Sequence, residues 1–319
     1  MYIKQAFNIL HDWWRYIIGV VIAIIGVTVF SAPHLIAVFA KRMRAEVDVS
    51  RLNDVQYLMS LFESNENLIY ILLPFAGGLI FLFLAVKFIH NQSIVQLTTA
   101  RKKIDWKRFW FIFFFWGILS SGLVLLDYYL SPSDYVVNFN LKPFLILTAI
   151  AIVLVPLQTS FEEYLFRGYL MQGIGVLAKN RWLPLLITSV VFGLLHIANP
   201  EVEKLGYVIM VYYIGTGLFL GIMTLMDDGL ELALGFHAAN NLFTALLVTA
   251  DWTAFQTHSV LKDLSNPTSA GFLDVFMPVF IIFPLLLFIL SKKYKWSNWN
   301  EKLFGSIEKP IKEDYKIMN

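Results

Sequence analysis

The sequence predicts an all-α, polytopic membrane protein with about eight transmembrane helices, and three observations predict it. The chain has 319 residues, of which 58% are hydrophobic and only 15% charged, with a mean hydropathy of +0.64; a soluble domain carries about 25% charge. The apolar residues fall in runs of roughly 17–25, the length needed to cross a hydrocarbon core of ~30 Å. Most of those runs carry no ionisable residue, and the exceptions cluster in a few places, as the cost of charge in lipid requires.

The first run starts near Tyr16 and extends to about Ala40. It is too long for the apolar core of a signal peptide and no small-x-small cleavage site follows, so it reads as a retained helix. The other runs are 68–86, 109–126, 143–165, 182–198, 207–226, 229–250 and 271–291, and the fourth is open to continuation as one long helix to about Lys179. Pro33, Pro74, Pro156 and Pro284 lie inside runs, where neighbouring helices or water can satisfy the freed carbonyls. Gly217 and Gly221 form a small-xxx-small pair, the mark of close helix packing. The linker 41–67 is polar, with Leu52, Val55, Met59 and Phe62 at near-helical spacing. It reads either as a helix on the membrane surface or as a solvated loop with one short helix.

Eight crossings put both termini on one side. That side holds Lys4, Arg15, Lys87, the basic residues of 101–108 and 179–181, and seven lysines from Lys292 to Lys316, 17 cations against 7 in the opposite loops. The positive-inside bias therefore predicts cytoplasmic termini. Trp13, Trp14, Trp106, Trp110, Trp182, Trp296 and Trp299 fall at the same ends, as an interfacial belt would. The residue usage and the lack of a eukaryotic targeting signal point to a bacterial plasma membrane. A net charge of +2 gives no electrostatic footprint for nucleic acid. The absence of cysteine excludes disulfides, thiolate metal sites and cysteine nucleophiles.

Three polar clusters break the apolar pattern. The first is Glu162-Glu163-x-x-x-Arg167 at the end of the fourth run. Glu163 and Arg167 are one helical turn apart and can pair. Glu162, turned ~100° from its neighbour, faces elsewhere and is free to act as a general base. The second is Phe192-x-x-x-His196, late in the fifth run. The third is His237-x-x-x-Asn241 in the seventh, two residues on one helix face. Each alone also fits a plainer role: carboxylates in water at a helix end, a satisfied core histidine, an interhelical hydrogen bond. Glu231 reads as part of a wet helix end beside Asp227 and Asp228. About a turn near Asn180, Glu162 and His196 lie at nearly equal heights, ~24–27 Å along each arm, so they can meet across a helical hairpin. With the turn in the cytoplasm, that height sets the site deep unless the two helices project.

On these residues the chain resembles the CPBP family of CAAX proteases and bacteriocin-processing enzymes. Its pattern of Glu-Glu-x-x-x-Arg, Phe-x-x-x-His and His-x-x-x-Asn recurs in order across about 145–250. The resemblance implies a glutamic-type intramembrane endopeptidase. In it Glu162 and His196 activate water, His237 and Asn241 form the oxyanion hole, and Glu163, Arg167 and Phe192 support them. It also implies a peptide or protein substrate at the bilayer, and a catalytic core at 141–255 between an N-terminal part at 1–140 and a last helix with basic tail at 256–319. No cofactor is favoured. The alternative is a zinc site on Glu162, His196 and His237, which would leave the water without an obvious base. The rival to an enzyme is a membrane immunity protein or transporter using the same polar cluster. A transporter would often show internal repeats, and none is found. A third reading keeps the polar network for helix packing alone.

Overall fold

Each of the eight apolar runs forms a helix. The structure is a computed structural model that describes residues 1–51, 54–265 and 272–309. The helices are α1 (Trp13–Met43), α2 (Ser64–Ile89), α3 (Trp106–Leu130), α4 (Leu141–Ala178), α5 (Trp182–Leu194), α6 (Pro200–Asp227), α7 (Glu231–Leu247) and α8 (Val275–Tyr294). Six are long and apolar enough to cross a membrane. The two that are not, α5 with 13 residues and α7 with 17, carry or adjoin His196 and His237. The protein is an all-α, polytopic membrane protein.

The fourth helix runs through, as its sequence allowed. It spans 38 residues and ends where Lys179 turns left-handed at φ 57°. At 1.5 Å per residue it is ~57 Å long, far more than the ~30 Å hydrocarbon core, so it overhangs the bilayer even when tilted. Its middle is a π-helical stretch, Tyr164–Leu170, beginning directly after the Glu162–Glu163 pair. Such stretches are rare and concentrate at functional sites.

α4 packs between α2 and α7, and α7 also packs on α3; α5 packs on α6. One apolar core joins α3, α4, α6, α7 and α8 through Ile112, Trp116, Val155, Phe219, Phe236 and Phe283. A second joins the N-terminal segment to α2 and the second half of α4 through Tyr2, Ile3, Leu82, Tyr164 and Tyr169. Gly217 explains the closeness of α5 and α6: a Cβ there would sit 2.7 Å from the Ser189 carbonyl oxygen. At Gly221 it would sit 2.5 Å from a Leu185 methyl. The pair does mark close packing.

One end of the bundle gathers the N-terminal segment, the 89–105 loop, the turns near 180 and 228, and the segment after α8. Leu10 N–H donates to the His90 carbonyl, Tyr2 N–H to Asp228, and Ile307 N–H to the Lys179 carbonyl. That parity is the one eight crossings require. Six of the seven belt tryptophans at this end are exposed; Trp296 instead donates to Asp227 at 3.0 Å. The opposite end carries a small sheet of β1 (Tyr135–Val137), β2 (Val248–Thr249) and β3 (Leu261–Asp263), with β3 central. Among the described residues of the 41–67 linker a 3-10 turn forms at Val49–Arg51 and a short α-helix at Val55–Met59, and Phe62 buries itself against Val47, Leu61 and α1 residues Ala37 and Val38. Leu52, Lys312 and Lys316 lie outside the described residues.

The wet helix end expected at Glu231 is overturned. Glu231 is 1% exposed and Asp227 4%. Arg101 reaches both, at 3.2 and 2.9 Å, Arg108 meets Asp227 at 2.5 Å, and Asp105 N–H donates to Glu231. Local sequence shows only three acids at a helix end. The arginines that make burial tolerable arrive from more than a hundred residues away.

Candidate active site

The site is built where α4 meets α7, with α5 and α6 closing one side. Glu163 is fully buried, and its Oε1 accepts from Arg167 at 2.9 Å, the pairing their spacing predicts. The same oxygen accepts Nδ1–H of His237 at 2.8 Å. Arg167, also fully buried, donates a second time, to the Gly217 carbonyl at 3.1 Å. Its guanidinium lies 4.2 Å from the centre of the Phe192 ring. A cation with no access to water is thus neutralised by a carboxylate, a carbonyl and an aromatic face at once.

Glu162 faces a different way, as the ~100° step per residue requires. It is 8% exposed. Its Oε1 accepts from Gln158 Nε2 at 2.6 Å. Its Oε2 is buried without a hydrogen bond among the described residues, and His237 Nε2 lies 3.6 Å from it. A buried carboxylate oxygen is rarely left unpaired, and an acid–base site is one place where it is.

Asn241, one turn beyond His237, donates to Gln158 Oε1 at 3.1 Å. Glu162, Glu163, Arg167, His237 and Asn241 therefore form one cluster, with Phe192 against Arg167 and 6.0 Å from the His237 ring. His196 stands at its margin. It lies in the turn after α5, half-buried, with Nδ1–H donated to the Phe192 carbonyl at 2.9 Å. Its ring stacks on Tyr213 with centroids 4.4 Å apart. In the neutral tautomer that makes this bond, Nε2 is the nitrogen left to accept. Among the described residues no hydrogen bond joins His196 to Glu162; Phe192 stands between His196 and His237.

For the zinc alternative, Glu162 and His237 approach each other, with His237 Nε2 3.6 Å from Glu162 Oε2, but His196 stands apart from them, and no three His, Cys, Asp or Glu side chains among the described residues come together as ligands. Three contributors were not picked out from sequence: Gln158, which bridges Glu162 and Asn241; Tyr213, which stacks on His196; and Trp116, whose indole donates to Asn240 at 3.1 Å. Gln158 carried a signal, being a polar residue inside an apolar run one turn before Glu162. Tyr213 and Trp116 carried none, since aromatic residues are common throughout.

A carboxylate, an imidazole and an amide buried together inside a helical membrane bundle define a site capable of proton transfer and of hydrogen-bonding an anion. Residues 141–243, which hold all seven motif residues, match the family described as type II CAAX prenyl endopeptidase, Rce1-like. An uncharacterized Bacillus subtilis protein, YyaK, is 37% identical over 168 residues, which are 52% of this chain and 56% of that protein. The chain thus spans little more than half the length of that curated relative. No solved structure matches the chain.

Proposed function

We propose that the chain is an intramembrane endopeptidase of the CAAX-protease type, acting through residues 141–255 and using water as the nucleophile. The observation that carries this is the buried, unpaired Oε2 of Glu162, held beside two groups able to donate to an oxyanion. Glu162 takes a proton from water as the oxygen bonds to the substrate's carbonyl carbon. His196, through its bare Nε2, accepts the water's other hydrogen bond. Asn241 gives one amide hydrogen to Gln158 and keeps the second for the developing oxyanion. His237 donates from Nε2 when the ring is doubly protonated, its Nδ1–H being held by Glu163. Collapse breaks the C–N bond, and the proton held by Glu162 passes to the leaving amine.

Both termini lie in the cytoplasm of a bacterial plasma membrane on this reading. The cation-rich loops and the hydrogen-bonded end of the bundle coincide, which supports the orientation. The overhang of the long α4 lets a site ~24 Å above its C-terminal end be reached from outside the hydrocarbon. The substrate is a peptide or protein segment presented at the bilayer.

The test uses purified wild type and Glu162→Ala in detergent with a panel of quenched peptides, with and without a chelator. Cleavage by the wild type alone, indifferent to chelator, is the expected result. Equal cleavage by both proteins would move the immunity or transporter reading ahead, and loss on chelation with recovery on zinc would make His196 and His237 ligands.

A further inference from the structure

Four hydrogen bonds run head to tail across three helices. Trp116 Nε1–H on α3 donates to Asn240 Oδ1 on α7 at 3.1 Å. Asn240 Nδ2 donates to Asn241 Oδ1 at 3.2 Å. Asn241 Nδ2 donates to Gln158 Oε1 on α4 at 3.1 Å. Gln158 Nε2 donates to Glu162 Oε1 at 2.6 Å. Trp116, Gln158 and Glu162 are each less than 9% exposed, and Asn240 and Asn241 are half-buried.

The direction of this chain is not arbitrary. An indole N–H can only donate, so the first link turns the Asn240 carbonyl towards Trp116. An ionised carboxylate can only accept, so the last link turns the Gln158 amino group towards Glu162. Between those fixed ends each amide has one orientation that makes two bonds, and flipping any of them breaks both. Chains of this kind also polarise one another in a low-dielectric interior.

We propose that Gln158 is a positioning residue, the link by which a one-way chain from Trp116 fixes the Asn241 amide and the Glu162 carboxylate relative to each other. This rests on the peptidase reading for its consequence in turnover, but the chain itself does not. With Gln158 in place, Asn241 presents nitrogen rather than oxygen to the side of Gln158 and Glu162, where the peptidase reading puts the water. Without Gln158, the Asn240 bond alone holds the Asn241 amide, and a turn that breaks that bond puts a repulsive lone pair where the oxyanion needs a donor. A glutamine kept only for packing would affect stability and leave turnover per folded molecule untouched.

The experiment has two readouts on the full chain in detergent. In the first, the tryptophans are labelled with 15N and the Trp116 indole signal is assigned by its loss in Trp116→Phe. Gln158→Met, close in shape but unable to bond, is expected to move that signal while the other eight tryptophans, which report the fold, stay in place. Gln158→Leu serves if Gln158→Met does not fold. An unmoved Trp116 signal overturns the proposal. In the second, peptide turnover is measured. Gln158→Met is expected to lower kcat about ten- to a hundredfold, below the effect of deleting an oxyanion donor outright, with KM within about twofold. Trp116→Phe should lower kcat less, and the double variant should be no worse than Gln158→Met, because both break one chain. Independent, multiplying effects overturn it. A moved indole signal in Gln158→Met, with a wild type that cleaves no peptide, upholds the chain and counts against the peptidase reading instead.

Discussion

Nε2 of His237 faces Oε2 of Glu162 across 3.6 Å, while Nδ1 of the same ring is held by Glu163 at 2.8 Å. One imidazole therefore touches both members of the Glu-Glu pair, and the two carboxylates divide their work. Glu163 is committed to Arg167 and His237. Glu162 accepts only from Gln158, and the second oxygen of each carboxylate has no hydrogen-bond partner among the described residues.

That division gives the first prediction. Glu162→Gln preserves shape and the hydrogen bond to Gln158 but removes the group that takes a proton. Peptide turnover should fall at least about a hundredfold, the lower end of what a general base supplies, while the thermal unfolding midpoint stays near that of the wild type. Near-wild-type turnover in this variant would leave the cluster as a packing network.

Arg167 gives the second. It is buried with Glu163, so Arg167→Met strands a carboxylate and should cost about 3–5 kcal/mol, the usual penalty for breaking a buried pair. Arg167→Met combined with Glu163→Gln removes both charges and should recover most of that loss without recovering activity, because His237 loses its anionic support. Unfolding in detergent measures both. If the double variant is as unstable as the single one, the cost lies in packing against Phe192 and not in the charge.

The motif residues were legible because charge in an apolar run is expensive and conspicuous. Glu163–Arg167 could be paired from spacing alone, since both sit on one helix. The partnership of Glu162 with His237 rather than directly with His196 was not legible. It depends on the approach of α7 to α4 and on α5 ending at Leu194, two residues short of His196. Equal helix heights put His196 near Glu162 along the bundle axis but said nothing of the rotation that sets Phe192 between the rings. The buried ionic cluster at Glu231 was misread for the same reason: Arg101 and Arg108 are distant in sequence, and only the fold brings them in.

Tyr213 gives the third prediction. It stacks on His196 with ring planes 22° apart, and the His196 backbone lies in a turn rather than in a helix. The stack therefore does much of the holding. Tyr213→Phe keeps the ring and should retain turnover within about twofold. Tyr213→Leu loses a contact of about 0.5–1.5 kcal/mol, and turnover should fall about three- to tenfold. Equal effects of the two would shift the role to the hydroxyl, which lies 3.5 Å from Asn199 Nδ2.

His90 gives the last, a pH dependence of stability set outside the membrane spans. It follows the final residue of α2, is inaccessible to solvent, and donates Nδ1–H to the Leu10 carbonyl at 2.7 Å. Its Nε2 meets the Tyr169 hydroxyl at 2.7 Å, so the neutral ring ties the N-terminal segment to α4. Burial pushes its pKa below the ordinary value of 6.5. The unfolded chain takes up a proton at that ordinary value while the folded ring resists it, so protonation favours unfolding. Stability should be independent of His90 above the ordinary value and fall as pH drops from there towards the lower folded-state value. His90→Gln, which can also donate to one partner and accept from the other, should flatten that limb. The comparison is the thermal midpoint of wild type and variant between pH 8 and pH 5, and parallel curves would show that His90 carries none of the dependence.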